Sequence, residues 1–128
     1  MKRIVAFGLM TVLLLSGCSS SSAVRNLDAQ QFSKITAASS TYVLDVRTPD
    51  EFAAGHLPNA HNINVDSTMF GAEIAKLDKH AVYAVYCHSG RRSAIATAQM
   101  EKAGFDHIYN LNGGMAAWTA SGGAMMRN

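Results

Sequence analysis

The 128 residues hold little that would commit them to a membrane span, a disulfide framework, a metal or nucleic acid. The apolar run from Ile4 to Leu15 is interrupted by Gly8 and Thr11, and it falls short of the ~20 apolar residues that a spanning helix needs. Cysteine occurs only as Cys18 and Cys87. The five histidines (His56, His61, His80, His88 and His107) show no spacing suited to metal ligation, so neither a metal nor another cofactor is expected. With 11 basic and 9 acidic residues, and no basic stripe or aromatic platform, nucleic acid is excluded as a partner.

What is present begins with an export signal. Lys2 and Arg3 precede the short apolar run, and the small residues Ser16 and Gly17 follow it. A charged start, a short apolar core and a small-residue cleavage site are the marks of a secretory signal. Leu15-Ser16-Gly17-Cys18 resembles the bacterial lipobox. The resemblance implies cleavage after residue 17 and lipidation of Cys18. Ser19 to Ser22 would be the tether behind it. Acyl chains hold a protein on a membrane at roughly 0.8 kcal/mol per buried CH2. By the same resemblance, Ser19 rather than Asp points to the outer membrane, facing the periplasm. Loss of Lys2 and Arg3 leaves nine basic residues against nine acidic, so the basic pI says nothing about the mature protein. A lipidated Cys18 leaves Cys87 alone, and no intramolecular disulfide can form. The expected organisation is therefore a signal at 1–17, a lipidated tether at 18–23, one domain at 24–122 and a short tail at 123–128, loosened by Gly122-Gly123.

Within the domain, helical and strand patterns alternate. Asp28 and Gln31 form a capping-box pattern before Phe32, Ile35 and Ala38 at helical spacing, and Ser39-Ser40 closes that helix. Tyr42–Val46 reads as a strand. Pro49, with Asp50 and Glu51 in the first turn, starts a short helix that Gly55 stops. A strand is expected over Ala60–Val65, a helix over Ser67–Leu77 and a buried strand over Ala81–Tyr86. A helix follows over Ser93–Ala103, with Ser93 as its N-cap and Gly104 as its stop. His107–Leu111 is a last strand, and Gly113-Gly114 turns into a helix holding Trp118. This alternation predicts an α/β fold with a parallel sheet covered on both faces. In such sheets ligands bind outside the carboxyl ends of the strands, which places the active edge at Cys87.

Cys87-His88-Ser89-Gly90-Arg91-Arg92-Ser93 joins that buried strand to the next helix. The thiolate is the reactive form of cysteine. A helix N-terminus favours an anion, and Gly90 lets successive N–H groups curl towards one. Arg91 and Arg92 add positive charge. Each feature lowers the thiol pKa, and an inert buried cysteine needs none of them. Cys87 is therefore the candidate nucleophile, with His88, Ser89, Gly90, Arg91, Arg92 and Ser93 as candidate substrate contacts.

Three segments carry a wider resemblance. Asp45-Val46-Arg47-Thr48-Pro49-Asp50-Glu51-Phe52 with Gly55-His56-Leu57-Pro58-Asn59-Ala60 resembles the first signature of rhodanese-homology domains. Cys87 to Ser93 is similar to their Cys-x-x-Gly-x-Arg-Ser active loop, and Leu111-Asn112-Gly113-Gly114 with Trp118 to their last signature. The segments span roughly residues 24–122. Asn59 stands where that family often has Gly, and Asn also tolerates a positive φ. The resemblance implies a rhodanese-like fold and a sulfurtransferase, with Cys87 carrying sulfane sulfur as a persulfide. It further implies an anionic donor such as thiosulfate and a thiophilic acceptor such as cyanide or a thiol. Arg91 and Arg92 would attract the donor.

Around the loop, Arg47 and Glu51 stand at i, i+4 and are expected to pair as structural support. Asp45 either braces the loop or caps a turn. His56 belongs to a hydrogen-bonded turn, and Trp118 to the core or the pocket rim. A cysteine phosphatase would need its Arg six positions after the Cys. Here that position is Ser93, and Arg92 comes one residue early. A persulfide or polysulfide carrier, or a thiol-redox partner in the envelope, would use the same loop. An exposed lone thiol outside the cytoplasm calls for a shielded loop or a dedicated reductant.

Overall fold

The computed structural model describes residues 21–127. Residues 1–17, Cys18 and the first part of the tether lie outside the described residues. The chain runs β1 (Val24–Leu27), α1 (Ala29–Thr36), β2 (Thr41–Asp45), α2 (Pro49–Ala54), β3 (Ala60–Asn62), α3 (Phe70–Ile74), β4 (Val82–Tyr86), α4 (Arg91–Lys102), β5 (Ile108–Leu111) and α5 (Gly114–Ala120). The five strands form one sheet in the order β1-β5-β4-β2-β3, and every neighbouring pair is parallel.

Side-chain alternation along the two inner strands builds a core on each face. Leu44, Val85 and Ile108 pack with Phe70, Ile74, Ala96 and Met100, beneath α3 and α4. Val43, Ala84, Tyr86 and Leu111 pack on the other face with Phe32, Met115 and Trp118, beneath α1 and α5. A fully buried aliphatic side chain of this kind contributes about 1.5–3 kcal/mol. Strand β4 is central, so its carboxyl end is flanked on both sides by other chain segments. Cys87 follows it directly.

The capping box is formed as expected, with Gln31 N–H donating to Asp28 Oδ1 (2.8 Å) and Asp28 N–H to Gln31 Oε1 (3.1 Å). Asn59 takes φ 61°, the left-handed conformation its side chain tolerates. Elsewhere the elements depart from the expectation. Strand β1 escapes sequence patterning because Val24–Leu27 is an edge strand whose middle residues are exposed. Strand β3 is shorter than expected, although Ile63 N–H and Val65 N–H still bond Asp45 O and Val46 O (3.0 and 3.1 Å). Helix α3 is a five-residue remnant of the expected span, because turns at Asn64 and Ser67 bind the N–H groups of Asp66 and Met69.

The tail is not loose. Met126 and His56 exchange backbone hydrogen bonds (2.8 and 2.9 Å), and Trp118 Nε1 donates to Ala124 O (2.9 Å). A Cβ at Gly123 would overlap the Trp118 indole. Gly123 thus serves close packing, and Gly122 takes the positive φ (80°) that turns the chain towards it.

Candidate functional site

The peptide leaving β4 curls around its own cysteine. Gly90 adopts φ 100° as the N-cap of α4, a conformation nearly closed to other residues. This turn brings Gly90 N–H to Cys87 Sγ at 3.0 Å. Ser93, expected as the N-cap, instead lies three residues into the helix region after Gly90, and its hydroxyl faces the sulfur. The Cys87 thiol donates to Ser93 Oγ (3.4 Å), which donates to Gly90 O (3.2 Å). A hydroxyl rotates freely to suit its partner, so on loss of the thiol proton Ser93 O–H can turn to donate to the sulfur.

Burial pushes the Cys87 thiol up, but it is outweighed by the Ser93 hydroxyl and by the N–H groups of Ser93, Gly90 and Ser89. The net pKa lies below the ordinary value. Cys87 is 0% exposed, so the loop shields its sulfur as well as activating it. His88, Ser89 and Arg91 are exposed around it, and Gly90 and Arg92 are half-buried. Clefts of about 830, 530 and 420 Å3 open elsewhere on the surface, and none is lined by residues 87–93. The loop closes on the sulfur itself through the Gly90 N–H and the Ser93 hydroxyl.

The back of the loop is held by α5. Met115 N–H donates to Cys87 O (2.8 Å), and Ala116 N–H to His88 O (3.1 Å). These are otherwise unpartnered N–H groups of a helix start. The approach demands glycine: a Cβ at Gly114 would stand 2.5 Å from Cys87 O and 2.6 Å from His88 O. The Gly-Gly pair thus carries a structural reason beyond a turn.

The neighbouring charges are paired differently from the expectation. Arg47 does not pair with Glu51. It turns back on Asp45, with Nε at 3.0 and 3.1 Å from the two carboxylate oxygens and Nη2 at 2.7 Å, and it also donates to Gly55 O. Asp45 further accepts Arg47 N–H (2.9 Å). It caps this turn, and no hydrogen bond links its side chain to residues 87–93 among the described residues. Glu51 reaches across to Arg92 instead, at 2.7 and 2.9 Å. The i, i+4 spacing fails because Arg47 precedes the helix, whose N-cap is Thr48.

Sequence reasoning missed two further supports. Asn62 Nδ2 donates to Asp45 O and Arg47 O (3.0 and 2.8 Å), fastening the end of β2. Tyr86 O–H accepts Leu57 N–H (3.0 Å), tying the residue before Cys87 to the Gly-His-Leu-Pro turn. His56 serves that turn as expected, stacked on Phe52 with Nδ1 at 2.9 Å from Phe52 O. Trp118 is core, edge-on to Phe32.

A cysteine of lowered pKa at the carboxyl edge of a parallel sheet, faced by N–H donors, is the site of a small α/β domain whose loop is suited to holding an anion. The rhodanese-like domain model matches residues 28–121, and the chain belongs to that family. It is 32% identical over 97 residues to the thiosulfate sulfurtransferase GlpE of Shewanella oneidensis, covering 76% of this chain and 94% of that one. It is 31% identical over 100 residues to a sulfurtransferase of Allochromatium vinosum, covering 77% and 92%. Among solved structures, a rhodanese-related protein from Thermoplasma volcanium superposes with a TM-score of 0.67 at 28% identity, covering 81% of this chain and 99% of that one. Within the family, the chain stands with the sulfurtransferases.

Proposed function

We propose that the protein moves sulfane sulfur from thiosulfate or a similar donor to a thiophilic acceptor through a persulfide on Cys87. The observation that carries this is the cradle itself: a shielded sulfur with a hydroxyl and backbone N–H groups aimed at it. The Cys87 thiolate attacks the terminal sulfur of thiosulfate. A new S–S bond forms, the old one breaks, and sulfite leaves with the bonding electron pair. The extra negative sulfur then sits among N–H donors that were in place beforehand, the kind of fixed electrostatic support that lowers barriers most. An acceptor such as cyanide next attacks the outer sulfur, thiocyanate departs and the thiolate returns. No general base is required once the thiol has ionised.

The setting proposed is the cell envelope, with the chain cut after residue 17 and anchored through lipid on Cys18. No second cysteine would then be available to resolve Cys87 as a disulfide. One experiment addresses both parts: take the intact mass of the protein purified from membranes, before and after thiosulfate. The expected result is a lipidated chain that gains one sulfur atom, with no gain in Cys87→Ala. An adduct with polysulfide but none with thiosulfate moves the reading to a sulfur carrier. A mass equal to the full unlipidated chain refutes the anchor.

A further inference from the structure

The loop has two arginines, but they are not electrically equivalent. Arg92 meets Glu51 end-on, Nη1 to Oε1 at 2.7 Å and Nη2 to Oε2 at 2.9 Å. Thr48 O–H holds the same carboxylate (3.1 Å), so Glu51 is fixed by its own helix start as well as by its partner. Asp66, exposed on the turn beyond β3, also acts on the Arg92 charge. The charged groups of the loop and its direct partner are Arg91 and Arg92 from α4 and Glu51 from α2, with Asp66 adding a weaker negative influence on Arg92. His88 is the remaining titratable neighbour, exposed on the loop itself. Two formal positive charges meet two negative ones, and among the described residues Arg91 has no ion pair.

We infer that Glu51 is a specificity-determining residue: by occupying Arg92 it removes net positive charge from the mouth of the loop and turns the site towards sulfane donors of low charge, such as thiosulfonates or persulfides, over the thiosulfate dianion. This rests on the Cys87 persulfide reading and adds the donor class. The N–H groups around the sulfur serve every sulfane donor alike. Discrimination by charge must come from the rim, where Coulomb energy scales with the charge on the donor. Arg92 lowers Glu51 to about 2, against burial, which opposes this, so the carboxylate remains charged at any pH where the thiolate exists.

The test compares thiosulfate, a dianion, with benzenethiosulfonate, a monoanion whose terminal sulfur passes to Cys87 as benzenesulfinate leaves with the electron pair. In Glu51→Gln, kcat/KM rises about tenfold for thiosulfate and about threefold for benzenethiosulfonate at low salt. Asp66→Asn moves both in the same direction by less, and carries the test if Glu51→Gln does not fold. Both rises shrink towards nothing near 1 M salt, where the Debye length is about 3 Å. Equal changes for the two donors, or a fall for thiosulfate, overturns the inference; a merely structural loss would lower both together. If neither donor adds sulfur to the wild-type protein, the persulfide reading itself has failed. If both add sulfur and the ratio is unmoved in both variants, only the donor class is wrong.

Discussion

Two arginine–carboxylate pairs stand close together in the chain and have opposite characters. Asp45 and Arg47 close on each other within a turn, and their side chains are 0% and 6% exposed. Glu51 and Arg92 join separate helices at the rim, 35% and 24% exposed. The first pair is locked: Arg47 also holds Gly55 O and lies 5.8 Å from the Tyr86 ring centre. Burial and the nearby Asp45 push the Tyr86 hydroxyl pKa up, so that hydroxyl remains neutral and hydrogen-bonded. The second pair is partly open to solvent, and its Arg92 belongs to the helix that follows the cysteine loop. The same chemical contact fixes architecture in one place and sets the local field in the other.

The sharpest way to break this contrast is to remove one partner of the locked pair. Asp45→Ala leaves the Arg47 charge buried without a counter-ion, which costs about 3–5 kcal/mol. Urea unfolding of Asp45→Ala and Glu51→Gln side by side checks it. If the two variants lose comparable stability, the pairs do not differ as described.

A middle-sized effect separates chemistry from stability at the rim. Ser93→Ala removes the hydroxyl that does most to lower the Cys87 pKa. Gly90 O keeps its bond from Ala94 N–H (3.2 Å), so the fold loses about 1 kcal/mol or less. Persulfide formation needs the thiolate, so its rate falls as pH drops through the thiol pKa. Losing a hydrogen bond to the charged form disfavours that form and raises the thiol pKa. The pH–rate profile of Ser93→Ala should therefore shift to higher pH, with the plateau at high pH retained. An unshifted profile would remove Ser93 from the cradle.

Much of this contrast could be read from the residues in advance, and the rest could not, for physical reasons. Cys87 was locatable because a β-branched run, a Gly and a helix pattern fix where a central strand ends. Gly113-Gly114 was visible as a turn, but its docking against the Cys87 and His88 carbonyls depends on how α5 meets the loop. Partner choice was the least legible. Sequence spacing paired Arg47 with Glu51 across a turn, whereas Arg47 turns back on Asp45 and tertiary packing delivers Arg92 from about forty positions away. Strand β1 was hidden because an exposed edge strand needs no apolar alternation. Asn62 was hidden because a lone polar side chain gives no sign of which carbonyls it will meet.

The smallest effect sharpens the contrast most, because it asks what the open pair contributes to folding. Arg92 lowers the Glu51 pKa from its ordinary 4.5 to about 2, burial opposing. A carboxylate with a depressed folded-state pKa stabilises the fold above its ordinary pKa and loses that contribution as pH falls through the depressed one. The pair's share is therefore complete above about pH 4.5 and gone near pH 2. Solvent screening at this exposure keeps it under about 1 kcal/mol. Urea midpoints of wild type and Glu51→Gln, followed from pH 6 to pH 2, should start slightly apart and converge. Other carboxylates protonate in both proteins, so only the difference between them reports the pair. A difference that persists at pH 2 would mean that Glu51 supports the fold by packing rather than by charge, and the rim would then resemble the locked pair after all.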